Sequence, residues 1–170
     1  MQLIYEGEDI YSDISVSQCI YDSYGEQHSD TLKVIFNDTR DLWDSWNPQK
    51  GDSIRAVLGA CDTGEMHVVS VKPENGLMCL RANSIPEDYN DRKNKSWEVV
   101  TFKQICAEVA DRHGLACEFY GVDDFTYEYV NQQNHEDFAF LEERCVLEGC
   151  AFLVYDNRLV VYSEVFMESG

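Results

Sequence analysis

The chain has 170 residues, 44% of them hydrophobic and 12% aromatic, which is long and apolar enough for one ordinary domain or two small ones and too apolar for a disordered segment. Its formal net charge is −19, with 32 acidic against 13 basic residues. That balance argues against a broad nucleic-acid-binding face, which needs clustered Lys and Arg to neutralise phosphates.

The acid is unevenly spread. Residues 1–50 hold ten acids against three bases, residues 51–95 seven against six, and residues 96–170 fifteen against four. No run approaches the eighteen apolar residues of a membrane helix, and the N-terminus lacks the basic and apolar stretches of a secretory signal, so the expected compartment is the cytoplasm in which the chain is made. The seven cysteines (Cys19, Cys61, Cys79, Cys106, Cys117, Cys145, Cys150) are odd in number and form no Cys-x-x-Cys. Most sit inside apolar runs, and the seven read as reduced core residues.

In chain order, β-rich runs come first: Gln2–Tyr5, Ile14–Tyr21, Thr31–Phe36, Ser53–Ala60, Glu65–Val71 and Leu77–Ala82. Turn residues punctuate them, and Asn75-Gly76 between alternating apolar residues is the strongest hairpin signal. Residues 1–85 therefore predict an antiparallel β-barrel or sandwich, the barrel being preferred. Trp43 and Trp46, in a stretch ended by Pro48, read as aromatics capping a barrel end rather than as a stacking platform for a base or sugar.

Residues 86–96 are polar and read as a linker, in which Arg92, Lys93 and Lys95 form a small basic cluster. Beyond it the apolar period becomes helical. Thr101 and Gln104 have capping-box spacing ahead of Phe102, Ile105, Cys106, Val109 and Ala110, and Gly114 follows, predicting a helix near 102–113. Asn134 reads as the N-cap of a second helix near 135–148, with Phe138, Leu141 and Cys145 on its buried face, widened by Phe140 and Leu147, and closed by Gly149. Ala116–Tyr120 and Thr126–Val130 read as strands between the helices. Ala151–Tyr155 and Leu159–Ser163 read as a C-terminal hairpin, so that residues 97–170 form a two-helix α+β unit. The fold class is mainly β with α+β.

Chemistry has no positive signal. His28, His67, His113 and His135 form no metal-ligand spacing, and no phosphate loop or nucleophile elbow occurs. Asp123-Asp124 and Glu142-Glu143 are adjacent carboxylates of the kind glycosidases use, but in so acidic a chain they read as a turn and a solvated helix face. Asp9, Asp13 and Asp22 lack the ordered spacing of a calcium loop. No catalytic, cofactor-binding or metal-binding residue is assigned.

The stretch YEYVNQQNHEDFAFLEERCVLEGCAFLVYDNRLVVY, residues 127–162, resembles a segment of phage tail hub proteins of the late control protein D family and of the valine-glycine repeat spike proteins of type VI secretion. Gln133, Asn134, Asp137, Phe140, Leu141, Arg144, Glu148 and Gly149 occupy the positions of that motif. SWEVVTFKQICAEVADRHGL is similar to the family's preceding helix, and FNDTRDLWDSWNPQKGDSI to a strand–loop–strand of its N-terminal barrel. The resemblance implies a non-enzymatic baseplate hub component of a virion tail. It would link tail tube to spike or baseplate, with relatives forming trimeric rings around a central channel. Such relatives are commonly about twice as long and carry a second barrel. A tail-associated wall hydrolase and a stand-alone protein-binding adaptor are the alternatives. Within a hub, the acid excess after residue 96 would line the channel and repel DNA at close approach, or else coat the outside of a soluble building block.

Overall fold

The computed structural model describes residues 1–26, 29–37, 48–74, 76–85 and 92–168. The chain divides into two compact units, Met1–Glu87 with Tyr155–Asn157, and Asp88–Val154 with Arg158–Gly170.

The first unit contains β1 (Gln2–Tyr5), β2 (Glu8–Asp9), β3 (Ser15–Glu26), β4 (Ser29–Asn37), β5 (Ser53–Leu58), β6 (Cys61–Asp62), β7 (Met66–Glu74) and β8 (Leu77–Asn83). Its strands pair antiparallel in the order β3-β4-β8-β7-β5-β1-β2, with β6 beside β5. Alternation decides the faces. β4 buries Leu32, Val34 and Phe36 and turns the intervening residues outward. Those three pack with Leu3, Tyr5, Ile54, Ala56, Met66, Val68, Leu80 and Ala82, so strands along the whole sheet share one core.

The expected barrel is corrected to an open sheet. β3 pairs only with β4, and β1 only with β5 and β2, so no ladder among the described residues closes the ring. The β7–β8 hairpin forms with Glu74 opposite Leu77 and Gly76 at φ +79°, while Asn75 lies outside the described residues. Trp43 and Trp46 lie outside them as well, as do residues 86–91 of the expected linker.

Gly64 holds a tight spot in this unit. Its φ is +65°, and a Cβ placed there would sit 2.8 Å from Asp156 Cβ, with the Asp156 backbone close behind. Around it Asp156 accepts a hydrogen bond from the Glu65 amide at 2.9 Å, and the Tyr155 hydroxyl donates to the Asp62 carbonyl at 2.9 Å. Gly64→Ala is therefore expected to destabilise the fold by about 1–3 kcal/mol, combining positive-φ strain with overpacking. Urea melts of the two forms measure it. Gly59, at φ +59° with open space around its Cβ position, is the control and shows the smaller cost of strain alone.

The second unit contains β9 (Arg92–Thr101), α1 (Phe102–Arg112), β10 (Ala116–Tyr120), β11 (Thr126–Glu136), α2 (Asp137–Leu147), β12 (Cys150–Tyr155), β13 (Arg158–Ser163) and a final turn α3 (Glu164–Glu168). β9 and β11 form an antiparallel ribbon, and β13 lies between β10, which it pairs in parallel, and β12. The ribbon lays Trp97, Val100 and Val130 against Ile105 of α1 and Phe140 of α2.

The capping box at α1 is present in full: the Gln104 amide donates to Thr101 Oγ1 and the Thr101 amide to Gln104 Oε1. Three expectations are corrected here. Arg92–Ser96, read as linker, are the first half of β9; their polar side chains belong to a strand with one solvated face. Asn134 is not an N-cap but lies inside β11 at φ +49°, in a bulge between Gln132 and His135, and α2 is capped by Glu136 without a side-chain bond. Leu147 does not widen the buried face, being 69% exposed.

Candidate functional site

Among the described residues, the densest polar arrangement is buried in the second unit, where the end of α1 and the start of α2 meet β11. Arg112 occupies the last turn of α1, His113 is its C-cap, and Asp137 is the first residue of α2. Each charge complements the partial charge of its helix end. Asp137 Oδ1 accepts from Arg112 Nη1 at 2.7 Å and from Gln132 Nε2 at 2.8 Å, and Oδ2 lies 2.9 Å from His113 Nε2. Gln132 also donates to the His135 carbonyl at 3.0 Å and accepts from Arg112 at 3.3 Å. Asp137 is 1% exposed and Gln132 wholly buried.

Burial by itself would push the Asp137 carboxyl up, but the hydrogen bonds from His113 and Gln132 and the charge of Arg112 outweigh it and hold the group below the ordinary carboxylate range. A carboxylate so depressed, saturated by three donors and sealed from water is a structural anion rather than a general base.

An aromatic layer extends the cluster. The Arg112 guanidinium stands 5.8 Å from the Trp97 ring, which stacks on Phe140 at 5.7 Å and 7°. The Trp97 indole N–H donates to Glu108, which Lys95 also contacts. His113 in turn packs on Phe138 at 4.8 Å. One turn further along α2 from Phe140, Arg144 lies over the Tyr127 ring at 4.7 Å and the Tyr127 hydroxyl donates to Glu148. Burial, then the Glu148 hydrogen bond, pushes the Tyr127 hydroxyl up to about 12.

The motif positions singled out in the sequence thus gather in one region, with one exchange. Gln133 is exposed, and Gln132 is the glutamine that reaches Asp137. The parity of β11, with Val130 buried, is the signal that points to residue 132. Phe140 and Leu141 are core, and Gly149, at φ +65°, follows the end of α2.

Asp124, Asp9, Glu142 and Glu143, among the carboxylates singled out in the sequence, have structural or solvated settings. Asp124 accepts from the Lys103 amide at 3.1 Å, satisfying a free donor in the first turn of α1. Asp9 accepts from the Leu3 and Tyr11 amides. Glu142 and Glu143 are exposed on α2 beside the exposed Val146 and Leu147, with Glu143 4.0 Å from His135. His67 meets Asn157 at 2.8 Å, and His28 lies outside the described residues. Among the described residues no group of three His, Cys, Asp or Glu is gathered as a metal would require. All seven cysteines are unbridged; Cys79, Cys106, Cys145 and Cys150 are buried and Cys117 half-buried, whereas Cys19 and Cys61 are exposed rather than core.

No family model matches the sequence, and no curated protein matches it. Solved structures do match the fold. The 43 kDa tail protein of prophage MuSo2 from Shewanella oneidensis superposes with a TM-score of 0.68 at 11% identity, over 94% of this chain and 53% of that one. The tail protein of Neisseria meningitidis MC58 gives 0.71 at 12% identity, over 94% and 49%. The E. coli c3393 protein, a type VI secretion component described as structurally similar to the T4 bacteriophage tail proteins gp27 and gp5, gives 0.58 at 15% identity, over 96% and 49%. The chain therefore has a fold found in phage tail proteins and a tail-like secretion component. It spans about half the length of these structures.

Proposed function

We propose that the chain is a structural component of a phage or phage-like tail, at the baseplate hub, where it joins tail tube to spike or baseplate around a central channel. The observation that carries this reading is the match of nearly the whole chain, both units included, to two tail proteins at TM-scores of 0.68 and 0.71. The narrower assignment to the hub rests on the motif at 127–162, whose Asp137, Phe140, Leu141, Arg144 and Glu148 are all engaged in packing and polar contacts. Those contacts stabilise a scaffold, in keeping with a part that works by assembly. The relatives' trimeric rings make a homo-oligomer the expected form, with the tube, spike and baseplate proteins as neighbours.

Mass spectrometry and antibody labelling of particles purified from the host test this. The chain is expected in stoichiometric, low copy number and at the distal end of the tail. Its absence from intact particles, or its presence along the tube or head, overturns the hub reading.

A further inference from the structure

The outward face of β3, β4, β8 and β7 in the first unit carries the cations Lys33, Arg81 and Lys72 on its inner strands, with the exposed Asp22 on the edge strand β3 diagonal to Lys33, a balance at odds with the rest of this acidic chain. The register places Ile20 opposite Lys33, Lys33 opposite Arg81, and Arg81 opposite Ser70, with Lys72 one row further along opposite Cys79. Val69 is the extra residue of a bulge between Val68 and Ser70. Ile20, Lys33, Val69 and Arg81 line a groove of about 290 Å³.

Among the described residues, Lys33, Lys72 and Arg81 make no ion pair or side-chain hydrogen bond. Arg55, by contrast, is paired through two nitrogens with Asp62. Like charges directly opposite on neighbouring strands cost stability, and here Lys33 and Arg81 stand together without an intervening carboxylate in a chain that has 32 acids to offer. The flanking Ile20 is 44% exposed.

We propose that this face is a docking site for an extended, acidic protein segment. Carboxylates two residues apart on one side of an extended strand stand roughly 7 Å apart. Positions directly opposite across strands are about 5 Å apart and diagonal ones about 7–8 Å, so successive carboxylates of one segment reach the Lys33–Arg81 pair and Lys72. Arg81 offers a planar fork for a carboxylate, and Ile20 and Val69 cover the segment's aliphatic stems. Nucleic acid is disfavoured: duplex DNA carries a charge about every 1.7 Å, far more than three cations neutralise, and it would meet a net charge of −19 around them. The site does not depend on the chain's being a tail component.

The test is a titration of the full chain, isotopically labelled for NMR, with an acetylated, amidated hexapeptide of alternating Glu and Ser. The Lys/Ser counterpart and a short DNA duplex serve as controls. Saturable shifts in the millimolar range, confined to residues near 18–22, 31–35, 69–72 and 79–83, are expected for the Glu peptide alone. Lys33→Glu with Arg81→Glu is expected to weaken binding at least tenfold, and Lys33→Gln with Arg81→Gln makes the same comparison should the double reversal fail to fold. The single Lys33→Glu change is expected to raise the melting temperature by pairing with Arg81 while weakening peptide binding. Stabilisation with no peptide binding in any form, binding unchanged by the double variant, or saturable binding of the duplex at these residues would each overturn the proposal.

Discussion

Replacing Asp137 by Ala is expected to destabilise the protein by about 3–5 kcal/mol, because it leaves Arg112 and the His113 ring facing a buried space with no anion. Gln132, buried and bonded to the same carboxylate, loses a partner in the same step. Asp137→Asn keeps the volume but removes the charge and turns one acceptor into a donor, so an intermediate loss is expected. The pH dependence separates charge from packing. Since the folded carboxyl is held below its ordinary value, its contribution is fully present above about pH 4 and is lost as pH falls through the depressed folded value. Urea melts of wild type and Asp137→Asn at neutral pH and below pH 4 should therefore converge on the acid side. A gap of constant size across that range would mean that the charge contributes nothing.

Phe140→Ala is expected to cost a similar amount, about 3–5 kcal/mol, for removing a large buried ring from a close-packed core. Phe140 is 3% exposed and stacks on Trp97, whose ring Arg112 and Lys95 also approach. Loss of the ring opens a cavity beside an indole that is otherwise fixed by its hydrogen bond to Glu108. Denaturant unfolding followed by circular dichroism gives the energy, and a red shift of tryptophan emission in the folded variant reports water reaching Trp97. Val146→Ala on the same helix, at a residue 70% exposed, is expected to change stability by no more than about 0.5 kcal/mol. Equal effects at the two positions would show that the two faces of α2 are wrongly assigned.

Strand positions of the first unit follow from alternation because each strand has one buried face. Gln2–Tyr5 is β1 residue for residue, and Leu77–Ala82 is β8 short by one. Closure of the ring was not available from pattern: alternation tells which face is buried but not whether the first and last strands meet. The arrival of β9 was hidden for a different reason. Arg92, Lys93, Asn94, Lys95 and Ser96 have the composition of a solvated loop, and their pairing is dictated by residues forty positions away on β11.

The α2 start shows propensity overruled. Asn134 has the right side chain and spacing for a cap, but asparagine also tolerates positive φ, and the ribbon uses it for that purpose. Its amide is met by Asn94 Oδ1 at 2.8 Å, so the position is tied to β9 rather than to the helix. The helix starts two residues later, where Asp137 finds its donors across the structure. Two of those donors, the neighbours Arg112 and His113, sit more than twenty positions away at the end of α1, so a local reading sees Asp137 only as first-turn acid.

The bulge at the end of β11 has a consequence for how this protein can vary. From Gln132 to His135 the strand takes three steps while β9 takes two, from Lys95 to Lys93. That single surplus residue lets Gln132 point inward and still delivers Asp137, five positions on, to the same buried spot. Deleting one residue between them would swap the sides on which the two groups emerge, and adding one would carry Asp137 about 100° around the helix entry. Insertions and deletions in this lineage are therefore expected to be excluded from residues 132–137, whereas side-chain changes at the exposed Gln133 are free to accumulate. The spacing itself, as well as the Gln132 and Asp137 that it brings together, is what descent must preserve.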